Sequence, residues 1–178
     1  MRIIAGDFKG RRLYTPENYN IRPTTDKVKE AMFSIIMPYI SESICVDLFS
    51  GTGNLGLEAI SRGASKCYFC DNSRESIQII KKNIDYCKAG DKSVIKSGDF
   101  RKVLESMREK VDIFFMDPPY EAGYYSDAFE KIAERGLLSD DGIIIAEHRD
   151  SLELPDALMG FEKLKERKYG QIVLSIYG

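Results

Sequence analysis

Three observations in this 178-residue chain predict a mixed α/β domain. From residue 44 onward, short apolar runs alternate with segments whose apolar residues recur at helical spacing, which is the pattern of a parallel sheet with helices on both faces. A glycine-rich turn joins the first apolar run to the first of these helices. The final stretch instead predicts two antiparallel strands, residues 161–168 and 171–177, at the edge of the sheet.

Residues 1–40 precede this alternation and predict a small extension. Two short extended segments, residues 2–5 and 12–15, are joined by a loop that begins and ends with glycine, which predicts a hairpin lying outside the main body. A helix follows, with a threonine of residues 23–26 at its N-cap and apolar residues at helical spacing until Pro38. We therefore divide the chain into this extension and a main domain, residues 41–178.

The main domain shows neither an internal repeat nor a linker. Its fraction of apolar residues, 43% for the whole chain, is sufficient for one full core. The predicted strands before the terminal hairpin span residues 44–49, 66–70, 93–97, 111–116 and 142–147, and the predicted helices span residues 55–62, 74–87, 100–108 and 126–135.

Charge is unevenly distributed along the chain. The formal net charge is −2 and the pI is about 5.6, so the protein is not a polycation that coats nucleic acid. Residues 1–30 nevertheless hold seven basic side chains against four acidic ones. A basic segment on an acidic body indicates local contacts with phosphates, and on composition alone we weigh this evenly against a structural lid with solvated charges.

The four cysteines and the single histidine do not suggest a metal site. Cys67 and Cys70 have C-x-x-C spacing, but they fall in a predicted strand, where residues three apart point to opposite faces. We interpret them as small buried hydrophobic residues. The sequence contains neither a signal peptide nor a membrane span, so we expect a reducing, cytoplasmic location.

Asp117-Pro118-Pro119-Tyr120 follows the apolar run 111–116, and we expect the chemistry here. Because proline lacks an N–H, the backbone at this turn offers carbonyl acceptors, and an ionised aspartate is also an acceptor only. Together they suit a neutral NH2 group, while the tyrosine ring offers a stacking face for a planar base. The alternative is a rigid turn with a solvated acid, and the preceding strand and the aromatic residue favour the functional interpretation.

A second motif follows the first predicted strand. Gly51-x-Gly53-x-x-Gly56 matches the dinucleotide-binding pattern G-x-G-x-x-G, which also fits a nicotinamide enzyme. Asp47, inside the preceding strand, would repel a pyrophosphate but could pair with a cationic amino acid moiety. This acid therefore favours a ligand with a positively charged group.

Two further acids follow the next two predicted strands. Asp71 is placed to accept both hydroxyls of a ribose, and Asp99-Phe100 could supply an acceptor and an apolar wall for an adenine. Helix N-capping is the alternative for each of these acids taken singly. Three acids at three successive strand ends favour a ligand site, because open α/β sheets bind ligands at the carboxyl ends of their strands.

These motifs resemble those of a known family. Residues 47–56, Asp-Leu-Phe-Ser-Gly-Thr-Gly-Asn-Leu-Gly, are similar to the first motif of class I S-adenosylmethionine-dependent methyltransferases, and Asp117-Pro-Pro-Tyr is similar to their amino-methylating fourth motif. Nearly the whole chain resembles the bacterial small-subunit ribosomal RNA guanine-N2 methyltransferases, the RsmD-like family. The specific segments are Arg2-Ile-Ile-Ala-Gly, Phe8-Lys-Gly-Arg-Arg-Leu, Ile21-Arg-Pro-Thr-Thr-Asp and the Tyr169-Gly170 hairpin.

The resemblance implies a Rossmann-like, seven-stranded methyltransferase sheet and methylation of one guanine N2 amine in 16S ribosomal RNA, with S-adenosylmethionine as cofactor. The expected partner is this RNA within a protein-bound small-subunit particle, and we expect a monomer without a metal. We assign catalysis to Asp117, Pro118, Pro119 and Tyr120. We assign cofactor contacts to Asp47, Phe49, Gly51, Thr52, Gly53, Asn54, Asp71, Asn72, Asp99 and Phe100, and RNA contacts to Arg2, Lys9, Arg11, Arg12, Arg22, Thr25 and Lys27.

Three alternative functions stay open from the residues alone. An adenine-N6 methyltransferase would use the same Asp-Pro-Pro-Tyr turn, although the chain offers no separate target-recognition domain. A nicotinamide-dependent oxidoreductase and a non-catalytic RNA-binding protein are the alternatives from other classes. Of the remaining polar residues, we interpret Glu147 and His148 as a surface pair, with the substrate entrance as the alternative, and residues 81–83 as a solvated helix face.

Overall fold

The computed structural model describes residues 1–16, 26–119 and 123–178. A sheet runs through its centre, and helices cover both faces. The strands are β1 (Ile44–Asp47), β2 (Lys66–Asp71), β3 (Ser93–Ser97), β4 (Val111–Met116), β5 (Leu138–Arg149), β6 (Ala157–Leu158), β7 (Phe161–Tyr169) and β8 (Ile172–Tyr177). The helices are α1 (Asp26–Ile35), α2 (Met37–Ile40), α3 (Asn54–Ser61), α4 (Arg74–Cys87), α5 (Phe100–Ser106) and α6 (Gly123–Glu134), and a 3-10 turn spans Gly90–Lys92.

The sheet has a parallel part and an antiparallel part, in the order β3-β2-β1-β4-β5-β8-β7-β6. The first five strands of that order pair in parallel, whereas β8 pairs antiparallel with both β5 and β7. The predicted Rossmann-like α/β class with a C-terminal antiparallel hairpin is confirmed. The strand number is eight instead of seven, because β6 adds two residues beside β7. Two residues are too few to show the period-two pattern of a strand in sequence.

Apolar residues build a core on each face of the sheet. On one face α1, α3 and α4 pack against the strands, and on the other face α5 and α6 do so. Cys67 lies in the first core and Cys70 in the second, both fully buried and free of disulfides, which confirms their interpretation as small buried residues. Strands whose sequences are continuous apolar runs, such as β4, are buried on both faces of the sheet.

The N-terminal hairpin packs on the main body, so the prediction that it lies outside was wrong. Ile3 and Leu13 are 0% and 6% exposed and belong to the same core as α1, α3 and α4. The hairpin itself is minimal, with a single antiparallel bridge between Arg2 and Arg12. Apolar residues on both of its short segments face the core, which two isolated runs of four residues could not reveal.

Several helix boundaries differ from the prediction by one or two residues, and two larger differences change the interpretation. The helix α1 ends at Ile35, and Pro38 lies in the first turn of the separate helix α2, where a missing N–H has no consequence. The helix α6 begins at Gly123, three residues before the predicted start at residue 126, so Tyr124 and Tyr125 are helical. The threonine predicted to cap α1 lies outside the residues that the structure describes.

The helix face at residues 81–83 is only partly solvated. Lys81 and Lys82 are exposed, whereas Asn83 is fully buried. Its side chain accepts a hydrogen bond from Tyr14 N at 2.7 Å and donates to Tyr14 O at 3.1 Å and to Thr52 O at 2.9 Å. Asn83 therefore ties the N-terminal hairpin to the glycine-rich turn, and the predicted solvated face is corrected at this position.

A buried ionic cluster joins the N-terminal segment to α1 and α3. Lys29 and Arg62 each contact a different oxygen of the Glu58 carboxylate, at 2.9 and 2.8 Å. Glu58 also accepts the N–H groups of Ile4 and Ala5, at 2.8 and 3.0 Å. All of these contacts satisfy a carboxylate that is 0% exposed, so the cluster fixes where the hairpin crosses α3.

Candidate active site

A cavity of about 700 Å³ lies at the carboxyl ends of the parallel strands. Asp47 ends β1, Asp71 ends β2, Asp117 follows β4, and all three line the cavity. The turn between β7 and β8, residues 169–172, also contributes to the lining. This position agrees with the rule that α/β sheets bind ligands at this edge.

The glycine-rich turn places backbone against the cavity. Gly51 and Gly53 adopt left-handed φ angles of 55° and 77°, which glycine tolerates best. Gly56 has a different role, because a Cβ there would lie 2.4 Å from the ring of Phe69 on β2. Of the predicted cofactor residues in this turn, Gly51, Thr52 and Asn54 line the cavity, whereas Gly53 does not and instead shapes the turn.

Asp47 is a buried carboxylate at the base of the cavity. It is 3% exposed, and its Oδ2 accepts the N–H of Gly56 at 3.0 Å. Burial raises its pKa to about 7, and the neighbouring carboxyls of Asp117 and Asp71 act in the same direction. Among the described residues no cation pairs with it. The protein thus holds a carboxylate that a positively charged ligand would stabilise.

Asp71 is oriented by two backbone donors. Its Oδ2 accepts the N–H of Gly51 at 2.8 Å, and its Oδ1 accepts the N–H of Ser73 at 2.8 Å. The N-cap of α4 is Ser73, so the capping alternative for Asp71 was wrong. Each carboxylate oxygen has a second lone pair available for a ligand, and both Asp71 and its neighbour Asn72 line the cavity.

Asp99 has two roles in the structure. It caps α5 by accepting the N–H of Arg101 at 2.9 Å, and it also lines the cavity. The Arg101 guanidinium bridges Asp99 at 3.0 Å and Asp127 at 2.5 Å, which fixes the loop before α5. The N-cap interpretation is therefore correct for Asp99 and does not remove it from the candidate site.

Three aromatic rings form an apolar wall of the cavity. The ring centroid of Phe49 lies 5.1 Å from that of Phe100 and 5.8 Å from that of Tyr124. The guanidinium of Arg101 lies 4.6 Å from the Phe100 centroid and stabilises this ring by a cation–π contact. Tyr124 was not predicted, because the segment before residue 126 did not show helical spacing. A wall of this kind suits a flat heteroaromatic ring.

The Asp117-Pro118-Pro119 turn begins directly after β4, as predicted. All three residues line the cavity, where Asp117 is exposed and Pro118 is buried. Although Asp117 is open to the cavity, the protein atoms that enclose the cavity partly desolvate its carboxyl and raise its pKa to about 6. Tyr120, the fourth member of the motif, lies outside the described residues.

The prediction that Glu147 and His148 form a surface pair was wrong. Both are buried, at 5% and 4% exposure, and Glu147 lines the cavity. The His148 ring instead contacts the hydroxyl of Ser175 on β8 at 2.9 Å. The predicted strand ended at residue 147, whereas β5 continues to Arg149, which also lines the cavity. The charged residues at the end of this apolar strand could have indicated that the strand continues to the edge of the cavity.

Among the described residues, the basic side chains predicted to contact RNA do not line the cavity. Arg2 pairs with Asp26 at 2.8 Å and keeps a 62% exposed side chain. The Arg11 guanidinium lies over the rings of Phe8 and Tyr86, at 5.2 and 5.9 Å from their centroids. The predicted residues Lys9, Arg12 and Lys27 are exposed, and Arg22 and Thr25 lie outside the described part of the chain.

Neither a metal site nor a membrane helix is found in residues 1–16, 26–119 and 123–178. No group of three or more His, Cys, Asp or Glu side chains there could hold a metal ion. No helix within those ranges combines the length and the apolar character needed to cross a bilayer.

The strand order and the position of the cavity define a Rossmann-like methyltransferase fold, and solved structures share it. The Escherichia coli protein yhhF, whose name proposes a methyltransferase, superposes with a TM-score of 0.90 at 30% identity, over 99% of this chain and 96% of that chain. The Haemophilus influenzae protein HI0767, whose name proposes a methylase, gives a TM-score of 0.82 at 30% identity, over 99% and 96%.

Residues 1–178 match the protein family described as Conserved hypothetical protein 95. Ribosomal RNA small subunit methyltransferase D of Escherichia coli is 33% identical over 177 residues, which cover 99% of this chain and 89% of the relative. YlbH of Bacillus subtilis, whose name proposes an rRNA methyltransferase, is 36% identical over 180 residues, covering 99% and 98%. The chain belongs to this family, the RsmD-like class I methyltransferases.

Proposed function

We propose that this protein transfers the methyl group of S-adenosylmethionine to the exocyclic N2 amine of a specific guanine in 16S ribosomal RNA. The observation that carries the proposal is one shared cavity, lined both by the acids that end β1 and β2 and by the Asp117-Pro118 turn after β4. A methyl donor and an amine could therefore meet there. The relatives named for the small ribosomal subunit support RNA as the methyl acceptor.

The residues of the cavity fit S-adenosylmethionine. The volume of about 700 Å³ lies within the range of small-molecule sites, roughly 300–1,000 Å³. The buried Asp47 suits the cationic amino acid moiety, Asp71 suits the ribose hydroxyls, and Asp99 with the Phe49 and Phe100 rings suits the adenine. When bound, the cofactor supplies a methyl group on a positively charged sulfur.

Asp117 and the backbone of Pro118 would hold the acceptor amine. An ionised carboxylate and a carbonyl each accept one of the two amine hydrogens, which orients the nitrogen toward the methyl donor. The amine nitrogen would form a bond to the methyl carbon as the bond between that carbon and the donor sulfur breaks, and the nitrogen would lose one proton. With a pKa of about 6, Asp117 is mostly ionised at neutral pH and is matched to take that proton.

Base extrusion and phosphate contacts complete the proposal. An RNA base reaches such a cavity only when it leaves its stack, which costs a few kcal/mol and least in a loop. Tyr120 would stack on the extruded base. The exposed basic side chains of residues 1–40 would contact phosphates beside the cavity, and this segment is the proposed RNA-contacting extension.

The proposal is tested by methyl transfer from labelled S-adenosylmethionine to three substrates: free 16S RNA, the protein-bound particle and the assembled small subunit. Mapping the labelled base separates guanine N2 from adenine N6. We expect Asp117→Ala to lower the rate at least about 100-fold, because the amine loses its acceptor. Binding of the cofactor, measured by calorimetry, should change little.

The matched control is Asp156→Ala, since the Asp156 side chain is fully exposed. This variant should keep the wild-type rate. Full activity of Asp117→Ala would contradict the proposal. Calorimetric binding of a nicotinamide dinucleotide in place of S-adenosylmethionine would favour the oxidoreductase, and cofactor binding without transfer to any of the three substrates would favour a non-catalytic RNA-binding protein.

A further inference from the structure

We propose that Glu147 selects guanine over adenine by accepting the N1–H of the target base, an inference that rests on the proposed function. The Asp117-Pro118 turn recognises an exocyclic amine, which both purines carry. A second contact must therefore distinguish the two bases. Glu147 is the carboxylate that the fold places beside Asp117.

The register of the sheet places these two acids side by side. Strands β4 and β5 are parallel, and their last paired residues are Met116 and Ala146. Asp117 and Glu147 are the next residues on the two strands, which lie about 4.8 Å apart. Both acids line the cavity, and both belong to the face of the sheet that carries Phe115 and Ile145, because alternate residues share a face.

The position of Glu147 is held from the backbone side. The hydroxyl of Tyr125 on α6 donates to the Glu147 carbonyl, and the following residue, His148, contacts Ser175 on β8. Glu147 is only 5% exposed, so its carboxylate has little conformational freedom. A side chain fixed in this way can enforce the orientation of a ligand atom.

The chemistry of the base edge determines the selectivity. In guanine the ring N1–H is a donor next to the exocyclic amine, so two neighbouring carboxylates can accept from two neighbouring donor groups. In adenine the ring N1 is an acceptor, and a carboxylate facing it would leave two acceptors opposed in a desolvated site. A site built for a hydrogen bond rejects a base that lacks the donor.

The test compares two RNAs that differ only at the target base. One carries guanine at the position mapped above, and the other carries 2-aminopurine, which keeps the amine at C2 but has no hydrogen on N1. Each is introduced into 16S RNA by splinted ligation and presented as the active substrate form. We expect the wild-type protein to prefer guanine by about 10- to 100-fold in kcat/KM.

The variant Glu147→Gln isolates the proposed contact. Its amide can donate to an unprotonated N1, so the preference for guanine should fall at least about tenfold. The missing oxygen at C6 of 2-aminopurine affects both enzymes alike and cancels when their preferences are compared. Glu153→Gln, at an exposed position, should keep the wild-type preference.

A second variant, which keeps the carboxylate, distinguishes loss of the proposed contact from misfolding. Glu147→Asp keeps the charge and should keep the preference for guanine while lowering the rate on both RNAs. An unchanged preference in folded Glu147→Gln, or a lost preference in Glu147→Asp, would overturn this inference alone. Absence of transfer by the wild-type protein to any RNA would instead overturn the proposed function, and this inference with it.

Discussion

Two buried carboxylates on the same face of the sheet have opposite surroundings. Glu58 is 0% exposed and meets two cations and two backbone N–H groups. Asp47 is 3% exposed and accepts one backbone N–H from Gly56, and among the described residues it pairs with no cation. Burial raises the pKa of Asp47 to about 7. Cations of the protein neutralise Glu58, whereas no cation among the described residues neutralises Asp47.

This difference indicates that the Glu58 carboxylate has a structural role and that the Asp47 carboxylate has a role in ligand binding. The Glu58 cluster holds the N-terminal hairpin on α3, and the Lys29 ammonium in it also donates to Asn54 Oδ1 at 2.7 Å, at the start of α3. Desolvation lowers the pKa of Lys29, and the contact with Glu58 opposes that shift. Asp47 lies at the cavity, where an incompletely compensated charge destabilises the free protein and favours a cationic ligand.

The largest effect on stability is expected from Glu58→Ala. The substitution leaves Lys29 and Arg62 without their carboxylate and two N–H groups without an acceptor, which should lower the free energy of unfolding by about 3–5 kcal/mol. Denaturant unfolding measures this loss. The control is Glu109→Ala, which breaks a half-exposed pair with Lys66 and should cost less than about 1 kcal/mol. Equal losses in the two variants would contradict the comparison.

The second largest effect on the free energy of unfolding is expected from Asp47→Asn, and it depends on pH. The folded pKa of about 7 lies above the unfolded value of about 3.8, so the folded protein binds the extra proton between these values. The stability contributed by this proton is full below about pH 4 and is lost as the pH rises through 7. Relative to wild type, ligand-free Asp47→Asn should therefore gain on the order of 2 kcal/mol between pH 5 and 8.

Thermal or denaturant unfolding of both proteins across this range measures the gain. Asp91→Asn, at an exposed position, should show no such pH-dependent difference. Calorimetry with S-adenosylmethionine completes the test, since Asp47→Asn should bind the cofactor about tenfold more weakly at pH 8. In the wild type, affinity should fall as the pH drops below 7. Identical cofactor affinity in both proteins would show that Asp47 has no ligand role.

The smallest effect on stability is expected from two basic side chains of the N-terminal hairpin, the partly buried Arg11 and the exposed Arg12. A double substitution, Arg11→Ala with Arg12→Ala, should lower the free energy of unfolding by less than about 1 kcal/mol. It should weaken RNA binding and reduce the slope of log K against log salt by about 1–2. Filter binding at several salt concentrations measures both. The exposed pair Arg108→Ala with Arg135→Ala is the control, and the same loss of slope there would place the RNA elsewhere.

The central βαβ units could be predicted from the sequence because local signals define them. Helix α4 and strands β3 and β4 have the predicted bounds, since Ser73 caps the helix and polar turns flank both strands. Four of the five strand-end acids, all except Glu147, were also assigned to the site from the sequence, because an acid after a strand marks the carboxyl edge of the sheet.

The rest could not be predicted because it depends on contacts between distant segments. Asn83 and Lys29 look like solvated helix residues until the N-terminal hairpin and α3 surround them. Glu147 looks like the polar end of a strand until β8 pairs beside β5 and covers it. No local period encodes these partners, and they lie 22 to 69 residues away along the chain.

The place of β8 between β5 and β7 has a consequence for biosynthesis. Ile172–Tyr177 is made after every other strand, yet it pairs with β5 over six residues in the interior of the sheet. Until those residues leave the ribosome, the edge of β5 at residues 143–146 presents an apolar strand to other nascent chains. After β8 pairs with β5, the strand next to β8 is the lysine-rich β7. Its charged side chains resist edge-to-edge association. The interval before β8 pairs with β5 is therefore when this sheet is most open to edge-to-edge association.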